Sequence, residues 1–527
     1  GGYGSIEITA MTTDAGQDLL PGKKFVQPDD GNEHDRTLMM VSLNRPVPPK
    51  GKITLRFQYV VNMPKVFARM GYAGNFFMAA QWFPKMSVYE PAGTRNRKED
   101  GWNLHQYHGN SEFYADFGIY DVAITVPQTF TVAATGFPTK ISRTKDGWKT
   151  YRFYADDVHD FAWAASPDFI YAEQPFSAPG VPGVKIKLYL DPRHKLLRDR
   201  YFAVVKKSLA DYSQWYGEYP YSTLSVVVPP AQANGAGGME YPTLITAWGA
   251  DDEKPDLELE RVVAHEIGHQ YFYGMVATNE FEEAWLDEGF TSYIEAKVME
   301  KEFNVRPNFP LEASYMTTPR ALNLNAWQYK RHGDYADNVY IRAKLVLAAI
   351  EREIGGENMR RVLRAYFQRY KFRHPSTSDF LAVLEQVTGK QWDDFFKTYV
   401  YGGTMTDVSV DGIQITTRLE NGAYIYDSAV LVTKRAGDLR QVPVLIRFAD
   451  GTMTTKNFDA SKNNRAILRF TGTAPVEWAM VDPNYSLVLE NKHINNFFQT
   501  KIDPEQKNRF SIGIAKLIET LLQGIAW

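Results

Sequence analysis

Two histidines one helical turn apart, with a glutamate directly after the first, stand in the stretch VVAHEIGHQYFYG, Val262 to Gly274. Residues i and i+4 of a helix share a face, so His265 and His269 can present two imidazoles to one ion while Glu266 sits beside that ion without binding it. Zn2+ held this way is a Lewis acid that brings the pKa of a water to about 7, and a neighbouring carboxylate can take that water's proton and later hand it to a leaving amine. Two ligands do not complete such a site. The chain has no cysteine and no HxxGxxH arrangement follows, so the third ligand must be an acidic residue downstream. The segment EEAWLDEGFTSYIEAK, Glu282 to Lys297, reads as a second helix, and eighteen residues separate His269 from its Glu288. Asp287, Glu283, Glu282 and Glu280 compete with Glu288 on chemistry alone. The three other glutamates, near a helix N-terminus, are expected to face solvent.

The run HEIGHQYFYGMVATNEFEEAWLDEGFTSY closely resembles the zinc-binding segment of the aminopeptidase N and leukotriene hydrolase family of gluzincins, in which HExxH, eighteen residues and a Glu inside WL(N/D)EGF supply the ligands. The resemblance implies one Zn2+ per chain on His265, His269 and Glu288. Family members carry a G-x-M-E-N strand upstream whose Glu grips the substrate's α-ammonium. This chain has GGMEY, Gly237 to Tyr241, so the resemblance gives Glu240 that role with Gly237, Gly238 and Met239 beside it, and Tyr241 replaces the usual Asn. Read from the residues alone, the glycines suit a segment lying close to another backbone, and a buried carboxylate suits an ammonium. Without the histidines nearby the same stretch reads as a flexible loop leading to an edge strand. Met239 fits either a pocket wall or plain packing.

The family also places a tyrosine phenol near the tetrahedral oxyanion, in a helical V-Y-E-K-G stretch. Val339, Tyr340, Ile341, Arg342 and Ala343 align there, so the resemblance gives Tyr340 the phenol and Arg342 the basic position, while Ile341 and Ala343 depart from the pattern. A Gln or Glu of the N-terminal domain near the α-amine is a further family feature, and Gln81 in QWFPK is the candidate.

The elements that must hold these residues follow from hydrophobic period. Up to about Leu190, runs such as KITLRFQYVV, YDVAITVP, FTVAATG and VKIKLYL alternate in the manner of strands. Leu196 to Gly217 has helical period, Ser222 to Pro230 is a strand, and helical segments dominate to about Gly402. Period two then returns in QITTRLENG, DSAVLVTKR and QVPVLIRFADG. The expectation is a multidomain α+β protein: an N-terminal β-rich domain at 1–190, a thermolysin-like, mainly helical catalytic domain with a small sheet at 191–403, a β-sandwich at 404–490, and a helical tail at 491–527. The large C-terminal helical domain of many gluzincin aminopeptidases is absent from this order.

At 527 residues the chain exceeds what one hydrophobic core supports. Its 59 Lys+Arg against 62 Asp+Glu give a formal charge of −3, which leaves no basic field for nucleic acid. RNRKED, Arg95 to Asp100, reads as a solvated loop. No apolar run reaches the roughly 18 residues of a membrane span. The tail Arg509 to Trp527 has the spacing of an amphipathic helix, packed on its own protein or resting on a membrane surface. The opening GGYGSIEITA, without Met and in mid-strand pattern, reads as a processed or truncated start, which leaves the compartment open.

A zinc aminopeptidase acting on peptides with a free N-terminus is the resulting expectation. Its alternatives are a zinc endopeptidase or another zinc hydrolase, such as one acting on an epoxide, and a gluzincin fold that binds without catalysis. Preferred residue, peptide length and oligomeric state are not encoded in any motif of the chain.

Overall fold

The computed structural model describes residues 3–110, 112–143, 146–249 and 257–500. Contacts divide the chain into two compact units, Gly1–Pro307 with Ala321–Trp392, and Asn308–Arg320 with Asp393–Trp527. In the first unit the strand ladders of the N-terminal region are antiparallel. Ser5–Thr13 pairs with Leu55–Asn62, a four-stranded sheet joins Thr131–Ala134, Trp163–Ser166, Phe76–Ala79 and Gly71–Ala73, and a three-stranded sheet joins Phe137–Arg143, Trp148–Val158 and Gly118–Pro127. Alternation does what period two requires: along Gly118–Pro127, Ile124 and Val126 turn inward onto Phe153, Phe161 and Val132.

The next sheet runs across residue 190. Ile170–Ala178 and Val181–Leu190, read above as the end of the N-terminal domain, form one sheet with Thr223–Val228 and Leu244–Thr246. Lys185–Leu190 runs parallel to Thr223–Val228. A parallel pair needs a crossover, and helix α1 (Arg198–Trp215) provides it. Thr223–Val228 is buried at every position, as a strand covered on both faces should be.

Helix α2 (Glu258–His269) carries Glu258 and Glu260 in its first turn, which suits the helix dipole, and buries Leu259, Val263, Ala264 and Ile267. The short α3 (Glu280–Glu283) is capped by Asn279, whose side chain accepts from Phe281 and Glu282 N–H. Helix α4 (Trp285–Phe303) follows and ends on Asn304 in the left-handed conformation. Downstream, His332–Ala336 passes through a π-helical turn, Asp337–Arg342, into the helix Ala343–Ile354.

The second unit holds a three-stranded sheet of Asp407–Glu420, Ala423–Ala436 and Arg465–Gly472, and a four-stranded sheet of Met453–Asp459, Gln441–Phe448, Val476–Val481 and Phe497–Gln499. Inward residues of both, including Val408, Val430, Val432, Val444, Ile446 and Val481, share one core, which makes a sandwich. This unit runs past residue 490, because Phe497–Gln499 pairs with Trp478–Met480 as an edge strand where a helical tail was expected. The amphipathic stretch Arg509–Trp527 lies outside the described residues. No described helix is long and apolar enough to cross a membrane.

Candidate active site

His265 and His269 project from one face of α2, their rings 4.7 Å apart and 80° to each other. Nε2 of each lies 3.0 Å from the other and 3.2 Å from Oε2 of Glu288 on α4. A tetrahedral ion with bonds near 2.0–2.1 Å needs its donors about 3.4 Å apart, so this triangle fits one such ion. The outer nitrogens are held: His269 Nδ1 meets Asp287 Oδ1 at 2.5 Å, and His265 Nδ1 meets Glu295 Oε2 at 3.3 Å. Those bonds fix the tautomers that turn Nε2 inward, the usual support for a metal-binding histidine. Burial opposes charge on His265, yet Glu288 and Glu295 outweigh it and raise the imidazole to about 9. A site that draws positive charge so strongly suits a cation.

Glu266 is buried next to the triad, and no donor reaches its Oε2. Burial pushes its carboxyl up to about 7, against the pull of His265 and His269, a value suited to a group that takes and returns a proton near neutral pH. Tyr340 enters from the π-helical turn, a distortion that recurs at functional sites, and its hydroxyl donates to Glu288 Oε1. Burial and the Glu288 charge hold its phenol far above the ordinary range, so it remains a donor. The approach depends on Gly289. A methyl there would stand 2.3 Å from Ala343 Cβ, three residues after Tyr340, and 3.1 Å from Val339 O, one residue before it.

The segment Gly237–Tyr241 lies on the third side. Gly238 N–H and Met239 N–H donate to Thr246 O at 2.7 and 3.3 Å, and Thr246 N–H returns a bond to Met239 O. Gly237 is hemmed in as its residue type suggested, since a Cβ would reach Trp248 Cδ1 at 2.3 Å and Ala247 O at 2.9 Å. Met239 packs into the core with Phe113, Tyr241 and Tyr273. One carboxylate oxygen of Glu240 lies within 4.8 Å of ligand atoms of Glu266 and His269, which brings Glu240 to the metal triad. Gln270, directly after the HExxH string, ties the two together, donating to Glu240 O at 3.0 Å and accepting from Thr243 N–H at 2.7 Å.

Other residues stand elsewhere than expected. The Gln81 amide donates to Asp160, whereas Glu112 of the same N-terminal region is the carboxylate gathered with Glu240. Glu280 and Glu283 are buried, not solvated, because chain distant in sequence folds over them: Phe113 N–H donates to Glu280 Oε2 at 2.7 Å and Thr377 N–H to Glu283 Oε1 at 3.0 Å. Glu282 receives Arg95, Asn103 and His105, so Arg95 is a structural cation and not part of a solvated loop. Asp287, a competitor for the third ligand, instead orients His269. The adjacency of His269 and Gln270 was a usable signal for Gln270, while nothing local in sequence marks Glu112 or Glu295.

Residues 201–399, which hold both histidines, Glu288 and Tyr340, match the Peptidase family M1 domain. That stretch of the chain is an M1 peptidase domain by sequence. Glutamyl aminopeptidase of Homo sapiens is 26% identical over 255 residues, 45% of this chain and 26% of that protein. Probable aminopeptidase 1 of Sulfurisphaera tokodaii is 27% identical over 320 residues, 55% of this chain and 40% of that protein. The chain therefore spans well under two thirds of the curated M1 relatives it matches. By fold it is similar to Legionella pneumophila aminopeptidase A in complex with aspartic acid, with a TM-score of 0.65 at 13% identity over 92% of this chain and 54% of that one. The M1 zinc metallopeptidase from Deinococcus radiodurans gives 0.54 at 20% identity over 76% and 84%. A β-rich N-terminal region, a helical middle and C-terminal sheets are the M1 layout.

Proposed function

We propose that this chain is a zinc-dependent aminopeptidase that removes the first residue from peptides with a free α-amine. The observation that carries this reading is the placement of Glu240 against the His265–His269–Glu288 triangle. The α-nitrogen and carbonyl carbon of one residue are only about 2.5 Å apart, so an ammonium held by Glu240 puts the first peptide bond, and no later one, at the metal. The M1 relatives are named aminopeptidases, and a Deinococcus M1 zinc metallopeptidase variant has been solved with a Tyr-Ser-Ala substrate.

His265, His269 and Glu288 would hold the Zn2+. When bound, that ion supplies Lewis-acid polarisation to a carbonyl and acidity to a water. Glu266 takes the proton of the attacking water and returns it to the leaving amine. Tyr340 donates to the oxygen on which negative charge develops, a preorganised donor in a site shielded from water. Glu240 binds the ammonium, with Glu112 rather than Gln81 as the second carboxylate from the N-terminal region, and Gly237, Gly238 and Met239 form the edge along which the substrate lies. An acetylated or internal segment leaves Glu240 without its cation, at a cost on the order of 2–5 kcal/mol.

The test follows release of the first residue from a free-amine peptide and from its N-acetylated twin, with and without a chelator. Chelator-sensitive release from the free peptide alone is the expected result. Internal cleavage of both peptides makes the protein an endopeptidase. Cleavage of neither, with one zinc bound per chain, makes it a binding protein.

A further inference from the structure

Glu240 is one of three carboxylates that converge beyond the triad. Glu112, Glu240 and Glu280 each bring one oxygen to within 4.8 Å of the other two. Phe113 N–H fixes Glu280 through Oε2, Arg69 Nη2 holds Glu112 Oε1 at 2.6 Å, and no donor reaches Oε1 of Glu240 or of Glu280. Two further buried tyrosines feel the charge of this cluster. The hydroxyls of Tyr273 and Tyr335 have no hydrogen-bond partner, and Tyr273 senses the charges of Glu280 and Glu240 while Tyr335 senses those of Glu112, Glu288 and Glu280. Glu280 also shares a side-chain hydrogen bond with Asp287, and the remaining buried acceptor capacity of the trio favours a ligand rich in N–H or positive charge.

The spacing of the trio admits an ammonium: three acceptors around a tetrahedral nitrogen, each about 2.8 Å away, stand about 4.6 Å apart, and the three oxygens lie within 4.8 Å of one another. A divalent ion fits less well, since Arg69 already places a guanidinium on both oxygens of Glu112 and would face a double charge. We propose that Glu280 is a third ammonium-binding residue, completing with Glu112 and Glu240 a cage that takes all three N–H donors of a primary α-amine and so excludes substrates whose first residue has a secondary amine. The inference rests on the aminopeptidase reading and narrows its substrate class: N-methylated residues and proline in first place offer one donor too few and leave one buried carboxylate unpaired.

The experiment compares the zinc-loaded wild type with Glu280→Gln on two probe pairs. L-leucinol and N-methyl-L-leucinol, which contain no bond to hydrolyse, are titrated by calorimetry. Alanine p-nitroanilide and its N-methyl analogue are followed by kcat/KM. Thermal midpoint and zinc content show that the variant is folded and loaded. The wild type should prefer the primary amine by roughly 100-fold in both measurements, and Glu280→Gln should cut that preference below about tenfold while zinc stays at one per chain. A variant that keeps the full preference overturns the role of Glu280. A wild type that cleaves the primary anilide without discriminating the N-methyl one overturns the cage while the aminopeptidase reading stands. Failure of the wild type to bind either leucinol or cleave either anilide overturns both. Two metal ions per wild-type chain, falling to one in the variant, make the trio a second cation site and overturn the proposal.

Discussion

Gly289→Ala is the smallest change that tests how the two halves of the site are held at their distance. The added methyl would stand 2.3 Å from Ala343 Cβ and 3.1 Å from Val339 O. Carbon atoms rest about 3.5–4.0 Å apart, so α4 and the segment Asp337–Ile354 must separate by about 1.2–1.7 Å. Overpacking of this kind costs about 1–3 kcal/mol of stability. The catalytic loss is larger, because the atoms struck flank Tyr340, and a displacement of about 1 Å at a reacting group costs roughly 100-fold in rate. The ligands on α2 and α4 are not on the displaced segment, so zinc content should stay near one per chain while kcat/KM on an aminoacyl anilide falls roughly 100-fold. Ala343→Gly in the same chain removes the opposing methyl and leaves the nearest Ala343 atom, Cα, at 3.5 Å. The double variant should regain most of the lost rate, less about 1 kcal/mol of stability for glycine in a helix. A Gly289→Ala protein within about threefold of wild type, or a double variant no better than the single one, refutes this account of how Tyr340 is placed.

Glu266→Gln should keep its zinc and lose about 100- to 10,000-fold in kcat, since it removes the proton carrier but no ligand; equal turnover on the anilide removes Glu266 from the mechanism. Tyr340→Phe should leave substrate affinity little changed and lower kcat by about 100- to 1,000-fold, and a change confined to KM would contradict oxyanion donation. Asp287→Asn weakens the acceptor that holds His269 Nδ1 at 2.5 Å, so competition with a chelator should show zinc bound about 10- to 100-fold less tightly. His159 is 2% exposed, bonded through Nε2 to Tyr273 O at 2.9 Å, and burial lowers its pKa to about 4. The unfolded chain takes up this proton below about pH 6.5 and the folded chain resists it until about 4. Its contribution is therefore present above pH 6.5 and lost as pH falls through that window, by about 3 kcal/mol in total. Denaturant titrations of wild type and His159→Gln should diverge in slope there, and parallel pH profiles would show that His159 contributes nothing.

What the sequence made legible divides along a physical line. The triad could be read because its geometry is mostly local: helical period puts His265 over His269, and the motif around Glu288 carries its own helix and the Gly289 that lets a second helix approach. Glu240 and Tyr340 were reached by the resemblance of GGMEY and VYIRA to family motifs, since periodicity alone singles out neither. The residues that escaped owe their positions to pairings across long stretches of chain. Ile170–Leu190 has the period of any strand, and only the parallel register with Thr223–Val228 assigns it to the catalytic sheet. Glu280 looks like a solvated helix-start glutamate until Phe113, far away in sequence, donates to it at 2.7 Å. Arg95 sits in a run of charges that reads as loop until Glu90 and Glu282 close on it. Glu280 and Arg95 are ionisable groups whose burial becomes tolerable only once partners from another element arrive. On the proposed function, local pattern specifies the groups assigned to act on the bond, while tertiary assembly specifies the acidic enclosure assigned to select what is bound. The two sets are separable by mutation: changes at Glu266 and Tyr340 should act on kcat whatever the first residue, whereas changes at Glu112, Glu240 and Glu280 should act on the choice between substrates.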